Sequence, residues 1–173
     1  KANKIYIFIK MLKIIKIGCG IIDNEQDLEQ FLKTFTAIDG PKILVHGGGK
    51  GASKMLNQLG IEPKMVDGRR ITDQPTLDVV TGLYAGNINK TIVSKLQQFG
   101  CNALGLSGAD GNAIKGNKRP VKTIDYGFVG DLNDESVNKD LFQLLIDNHI
   151  TPVVCAITHD GNGQLLNTNA DTV

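Results

Sequence analysis

Three consecutive glycines, Gly47-Gly48-Gly49, follow the apolar run Ile43-Leu44-Val45-His46 and precede a helical pattern over 50–60. A buried strand running into glycines and then a helix lets backbone N–H groups converge on an anion. Glycine permits close approach and positive φ, and the helix N-terminus adds partial positive charge. That chemistry is phosphate or carboxylate binding; a plain turn is the bland alternative. The spacing is neither G-x-G-x-x-G nor G-x-x-x-x-G-K-[ST], which excludes the two best-known nucleotide loops. Lys16 sits inside an apolar strand at 14–18. Lysine is rarely buried unpaired. Ligands of open α/β sheets lie beyond the carboxyl ends of the strands, so Lys16 and Gly47 would face one crevice. Snorkelling from an edge strand is the other reading of Lys16. Asp171 is a candidate partner to hold Lys16 charged and aimed. Arg70 suits a bidentate grip on a carboxylate, or is a solvated surface charge. Asn167 and Asn169 are two apart, so an extended strand would place them on one face toward a substrate; they also fit a helix cap. His46, His149 and His159 share no pattern with a nucleophile. His46 is read as structural, because phosphoryl transfer relies on positioning and charge more than on proton removal.

The elements that must carry these residues alternate. A strand at 14–18 is followed by a helix opened by Asp23 with Gln26 as its capping-box partner, and Leu28, Phe31, Leu32, Phe35 and Ile38 fall at helical spacing. Asp39-Gly40-Pro41 stops it. Strand 42–46, the glycines and a helix with Ala52, Met55, Leu56 and Leu59 inward come next. This order predicts an α/β fold with a mainly parallel sheet covered on both faces. Asp67-Gly68 marks a hairpin between Met65-Val66 and Arg69-Arg70-Ile71. A long helix begins near Pro75 with the stripe Leu77, Val80, Tyr84, Ile88, Ile92, Leu96. Gly82 and Gly86 cost about 1 kcal/mol each in a helix interior, which close helix–helix approach would offset. A strand is expected at 103–106, and short ones near 113–115, 121–123 and 128–129. A helix at 135–148 turns Val137, Leu141, Leu144 and Leu145 inward. A strand at 152–157 and a turn at 160–163 follow. Residues 167–173 resemble the start of another helix.

The chain has 173 residues and a net charge of +1, with three tyrosines, six phenylalanines and no tryptophan. That is one domain, with no charge excess for nucleic acid and no aromatic surface for base stacking. The run at 4–10 is too short to span a bilayer, and Met11 reads as a native start after an N-terminal extension of residues 1–10, or that run is an extra edge strand. Cys19, Cys101 and Cys155 lie in apolar runs and read as buried thiols in a reducing compartment, the cytoplasm. Their spacing argues against a metal site.

Lys16-Ile17-Gly18, His46-Gly47-Gly48-Gly49, Gly68-Arg69-Arg70-Ile71-Thr72 and Asn167-Thr168-Asn169-Ala170-Asp171 occur in the order seen in the amino-acid kinases. With Ala85–Lys90, Gly105–Asn112 and Gly127–Gly130 added, residues 11–173 resemble the members of that family that phosphorylate N-acetyl-L-glutamate. The resemblance implies an αβα sandwich and ATP-dependent phosphorylation of the γ-carboxylate, with Mg²⁺ carried by the nucleotide. It implies that Lys16 neutralises the phosphoryl group in flight and that Gly48 and Gly49 bind it and the attacking carboxylate, with Gly47 and Gly18 nearby. Arg70 would clamp the α-carboxylate, Asn167 and Asn169 would line the acceptor site, and Asp171 would organise Lys16. The helix bearing Gly82 and Gly86 would form a homodimer interface. The pattern departs at Cys19, where the family carries a second glycine, and stops before the nucleotide-binding half. A carbamate, glutamate or uridylate kinase, or a non-catalytic module for acidic metabolites, are the competing readings.

Overall fold

The computed structural model describes residues 11–48 and 50–173. The extension 1–10 and the role read for Gly49 lie outside the described residues. In chain order the elements are β1 (Lys13–Ile17), α1 (Cys19–Ile22), α2 (Glu25–Ala37), β2 (Lys42–His46), α3 (Gly51–Gln58), β3 (Met65–Val66), β4 (Arg69–Arg70) and α4 (Gln74–Thr81). A π-helical segment, Gly82–Ile88, joins α4 to α5 (Asn89–Gln98). Then come β5 (Ala103–Leu106), β6 (Asn117–Lys118), β7 (Val129–Asp131), α6 (Lys139–Asp147), β8 (Thr151–Cys155), β9 (Ile157–His159) and β10 (Leu165–Thr168).

The central sheet runs β1-β2-β8-β5, all parallel. All five residues of β2 are buried, as expected of a strand covered on both faces. Its alternation assigns those faces. Leu44, Val153 and Cys155 join a core made with Leu28, Leu32 and Phe35 of α2, Leu77 and Val80 of α4, and Ile92 and Leu96 of α5. Ile43, Val45 and Val154 join a second core with Phe142 of α6. The result is the αβα sandwich the sequence implied. A second sheet, β6-β7-β10-β9, stands beside it, and β3 pairs with β4 in the hairpin expected around Asp67-Gly68, both of positive φ.

Several boundaries differ from expectation for physical reasons. Asn24, not Asp23, caps α2, its side chain accepting from the Gln26 and Asp27 amides at 3.0 and 3.2 Å. Asp23 instead accepts from the Lys50 amide at 3.0 Å. Residues 133–137 form a turn built on Asn133 and Ser136, so α6 starts at Lys139 and presents Phe142 and Leu145; Leu144 is exposed. Met55 and Leu59 also face out of the short α3. Strand pairing falls at 117–118 rather than 121–123, and Ile114 and Lys115 make only isolated bridges. The apolar run 152–157 breaks at Ala156, where the chain leaves the central sheet to pair with β10 in the second. Cys19 is exposed, against the expectation of three buried thiols; Cys101 and Cys155 are buried. A Cβ added at Gly82 or Gly86 meets nothing within 4 Å, so neither glycine is used for close approach among the described residues. The chain after β10 makes a turn closed by the Thr172 amide on the Asn169 carbonyl.

Candidate functional site

The parallel register pairs Lys16 with Val45 and Ile17 with His46, so the lysine and the glycine bend leave the sheet side by side at their carboxyl ends. A cleft of about 320 Å³ opens there, lined by Lys16, Gly47, Gly48, Arg70, Asn167, Asn169 and Asp171 among others. Seven of the residues read from the sequence thus meet in one place. Gly18 stands just outside, as the residue capping α1.

Lys16 Nζ and Asp171 Oδ1 are 2.7 Å apart, with the side chains 38% and 65% exposed. A pair this open contributes little stability; its effect is to aim the ammonium. The Asn169 side chain accepts from the Asp171 amide at 3.1 Å, which fixes the turn that carries the carboxylate. Asn169 lies one residue beyond the end of β10, so the shared strand face expected for the two asparagines is only half realised. Asn167 donates to Thr72 Oγ1 at 3.1 Å, and Thr72 donates to the Arg70 carbonyl at 3.0 Å, tying β10 to the segment that bears Arg70.

Arg70 Nη2 donates to Ser53 Oγ at 2.9 Å. Arg70 Nη1 is buried with no hydrogen-bond partner. A buried unpaired guanidinium nitrogen costs free energy unless an acceptor arrives, and the fork geometry of arginine matches a carboxylate. Tyr84 borders the same cleft; burial pushes its hydroxyl pKa up by more than the adjacent Arg70 cation lowers it. Three cations, Lys16, Arg69 and Arg70, face one carboxylate, Asp171.

The bend itself works differently from the sequence expectation. Gly48 does not adopt positive φ. It must be glycine because an added Cβ would lie 1.5 Å from Tyr84 Cε1. The N-terminus of α3 is met by the Asp23 carboxylate at the Lys50 amide, so that amide is already taken. His46 is fully buried and holds Gly47 O through Nδ1 at 2.9 Å; burial lowers its pKa to about 4, so it is neutral and no cationic ligand for phosphate. Sequence reasoning missed Tyr84, Ser53 and Thr72 as site residues. Thr72 and Ser53 sit beside residues it did single out, which is the one signal available for them.

At the carboxyl ends of the parallel strands a paired lysine and a glycine bend meet an arginine from the β3–β4 hairpin whose Nη1 has no partner, an arrangement suited in its chemistry to an anion. The chain belongs to the amino acid kinase family, whose model matches residues 11–173. Its relatives include the acetylglutamate kinase of Parabacteroides distasonis, 56% identical over 162 residues, covering 94% of this chain and 63% of that protein. The acetylglutamate kinase of Cytophaga hutchinsonii is 57% identical over 163 residues, covering 94% and 61%. The chain therefore spans about 62% of the length of the curated relatives it matches. Among solved structures, the Streptococcus mutans protein smu.665 superimposes with a TM-score of 0.79 at 23% identity, over 93% of this chain and 64% of that one. No helix among the described residues is long and apolar enough to cross a membrane.

Proposed function

We propose that this chain is the acceptor-binding portion of a cytoplasmic acetylglutamate kinase, which moves the γ-phosphoryl group of ATP to the γ-carboxylate of N-acetyl-L-glutamate. The observation that carries the reading is the buried, unpartnered Arg70 Nη1 in the same cleft as the Lys16–Asp171 pair. An acceptor with two carboxylates needs one cationic clamp and one cationic transfer site, and the cleft offers both. Arg70 would take the α-carboxylate, and Asn167 and Asn169 would border the acceptor. The amides of Gly48 and Gly49, with Gly47 and Gly18 adjoining, would receive the reacting oxygens. Lys16, aimed by Asp171, would face the charge in transit. Phosphoryl transfer of this kind needs no covalent intermediate, so placement and fixed charge suffice.

ATP supplies the phosphoryl group when bound. The described residues suit only its reacting end, and the rest of its site is assigned to sequence beyond this chain, in keeping with the greater length of the relatives. Mg²⁺ would arrive with the nucleotide, held by its phosphates. The open surface around Gly82 and Gly86 suits a homodimer contact.

The test is ADP release by the protein with its nucleotide-binding half, with and without N-acetyl-L-glutamate, in wild type and Lys16→Met. A lysine about 4 Å from the moving charge is worth about 4 kcal/mol at an effective dielectric near 20. Lys16 is 38% exposed, and solvent screening leaves roughly 2–3 kcal/mol. The variant should lose about a hundredfold in kcat with KM little changed. A near-normal kcat in the variant rejects the role given to Lys16, acceptor-independent ADP release rejects the acceptor, and no ADP release at all rejects the kinase reading and favours a non-catalytic binding module.

A further inference from the structure

Two stretches that mark the family likeness, Ala85–Lys90 and the one beginning at Gly105, have no part in the cleft described above, yet both converge beneath its glycine bend. Asn89 and His46 are each fully buried. Asn89 Nδ2 lies 3.0 Å from His46 Nε2 and donates to Val153 O at 3.0 Å. Lys90 Nζ donates to Asn89 Oδ1 at 3.0 Å and to Gly105 O at 3.2 Å. These contacts fix the orientation of the amide: turned over, its oxygen would face the Val153 carbonyl and its NH₂ would face the lysine ammonium. With the NH₂ on Nε2, that nitrogen must accept, so the imidazole proton is on Nδ1 and is donated to Gly47 O at 2.9 Å. A Cβ at Gly105 would lie 1.9 Å from Asn89 Oδ1 and 2.8 Å from Lys90 Nζ, which accounts for glycine there.

We infer that Asn89 and His46 are positioning residues that set the peptide plane between Gly47 and Gly48. A trans peptide is planar, with its C=O and N–H pointing in opposite directions. Drawing the Gly47 carbonyl inward onto a fully buried imidazole sends the Gly48 N–H the other way, toward the cleft that both glycines line. The Gly48 amide makes no hydrogen bond to another described residue. The π segment serves the same end. Its hydrogen bonds reach one residue further than those of an α-helix, so residues five apart come onto one side. Tyr84 and Asn89 are five apart, one against Gly48 and the other on His46. Burial keeps His46 neutral, and the Asn89 and Gly47 contacts select the tautomer.

The effect on turnover rests on the proposed kinase function; the orientation of the bend does not. Two variants separate the halves of the imidazole. His46→Asn keeps an NH₂ near the Nδ1 position, able to donate to Gly47 O. His46→Gln reaches Asn89 but leaves Gly47 O without its donor. The readouts are the ¹⁵N–¹H shift of the Gly48 amide, kcat and KM with acetylglutamate, and the urea midpoint. His46→Asn should retain the wild-type Gly48 shift and a kcat within about threefold, whereas His46→Gln should move that shift and lose at least about tenfold in kcat. Equal effects of the two variants on the Gly48 shift would reduce the pair to core filling and overturn the inference. Should either variant fail to fold, ¹⁵N-histidine spectra of the unsubstituted protein decide: a protonated Nδ1 and bare Nε2 on His46 support it, and the reverse sinks it. If the protein does not phosphorylate acetylglutamate at all, the functional reading falls, and the imidazole and Gly48 signals still judge this one.

Discussion

Gly48→Ala is the sharpest probe of the bend. The new methyl carbon would stand 1.5 Å from Tyr84 Cε1 and 2.3 Å from Cδ1 and Cζ. Carbon atoms at rest stay about 3.5–4.0 Å apart, so the ring must retreat by roughly 2 Å. It has little room to do so, being 7% exposed with its hydroxyl beside Arg70. Overpacking of this kind costs about 1–3 kcal/mol, and the size of the overlap places this case near 3. Tyr84→Ala alone should cost about 3 kcal/mol, as truncating a buried aromatic side chain does. Once the ring is gone the alanine at 48 has space, so Gly48→Ala in the Tyr84→Ala background should cost under about 0.5 kcal/mol. The cycle therefore predicts a coupling of about 2 kcal/mol or more, read from urea unfolding of the four proteins. If Gly48→Ala costs the same with and without the ring, steric contact is not why glycine stands at 48, and a purely conformational demand takes its place.

Removing the Arg70 guanidinium should weaken acetylglutamate binding by roughly one to two orders of magnitude, the worth of a charge-assisted pair; calorimetric titration of Arg70→Ala with an unchanged Kd would dismiss the clamp. His46 titrates near 4 when folded and near 6.5 when unfolded, so between those values the unfolded chain binds the extra proton and stability falls as pH drops. Stability should therefore decline by a few kcal/mol from pH 6.5 to 4, and the His46→Gln variant should show a shallower decline in urea midpoints across that window. Gly86→Leu should convert a sedimenting dimer to monomer if that open face is the subunit contact; a wild-type monomer, or a dimer indifferent to the leucine, would remove it.

The parallel sheet was legible because burial on both faces leaves a nearly continuous apolar signature, as in 42–46 and 152–155. The cleft was legible for a related reason: Lys16 and the glycines interrupt such runs at the same end of two neighbouring strands. What escaped depends on choices that local sequence leaves equal. Asp23 and Asn24 are both good caps, and only the reach of Asp23 to the Lys50 amide decides between them. Nothing apolar distinguishes Ala156 from its neighbours, so a change of sheet there is invisible along the chain. Tyr84 fits the apolar stripe and so reads as core alone, while Asn89, five residues on, lies off that stripe and comes round to the same side because the helix between them is wound more widely. The glycine at 48 was placed correctly as part of the bend but for another cause, since its neighbour in space is 36 residues away.

The break at Ala156 has a consequence for any occupant of the cleft. Lys16 and the glycines belong to one sheet, while Asn167, Asn169 and Asp171 follow from the other, and between β8 and β9 the chain steps from the first to the second at one buried alanine. A molecule seated there acts as a cross-brace over that joint. Its grip would be felt as slower breathing of both sheets together, so that occupancy and the unity of the fold rise or fall as one quantity.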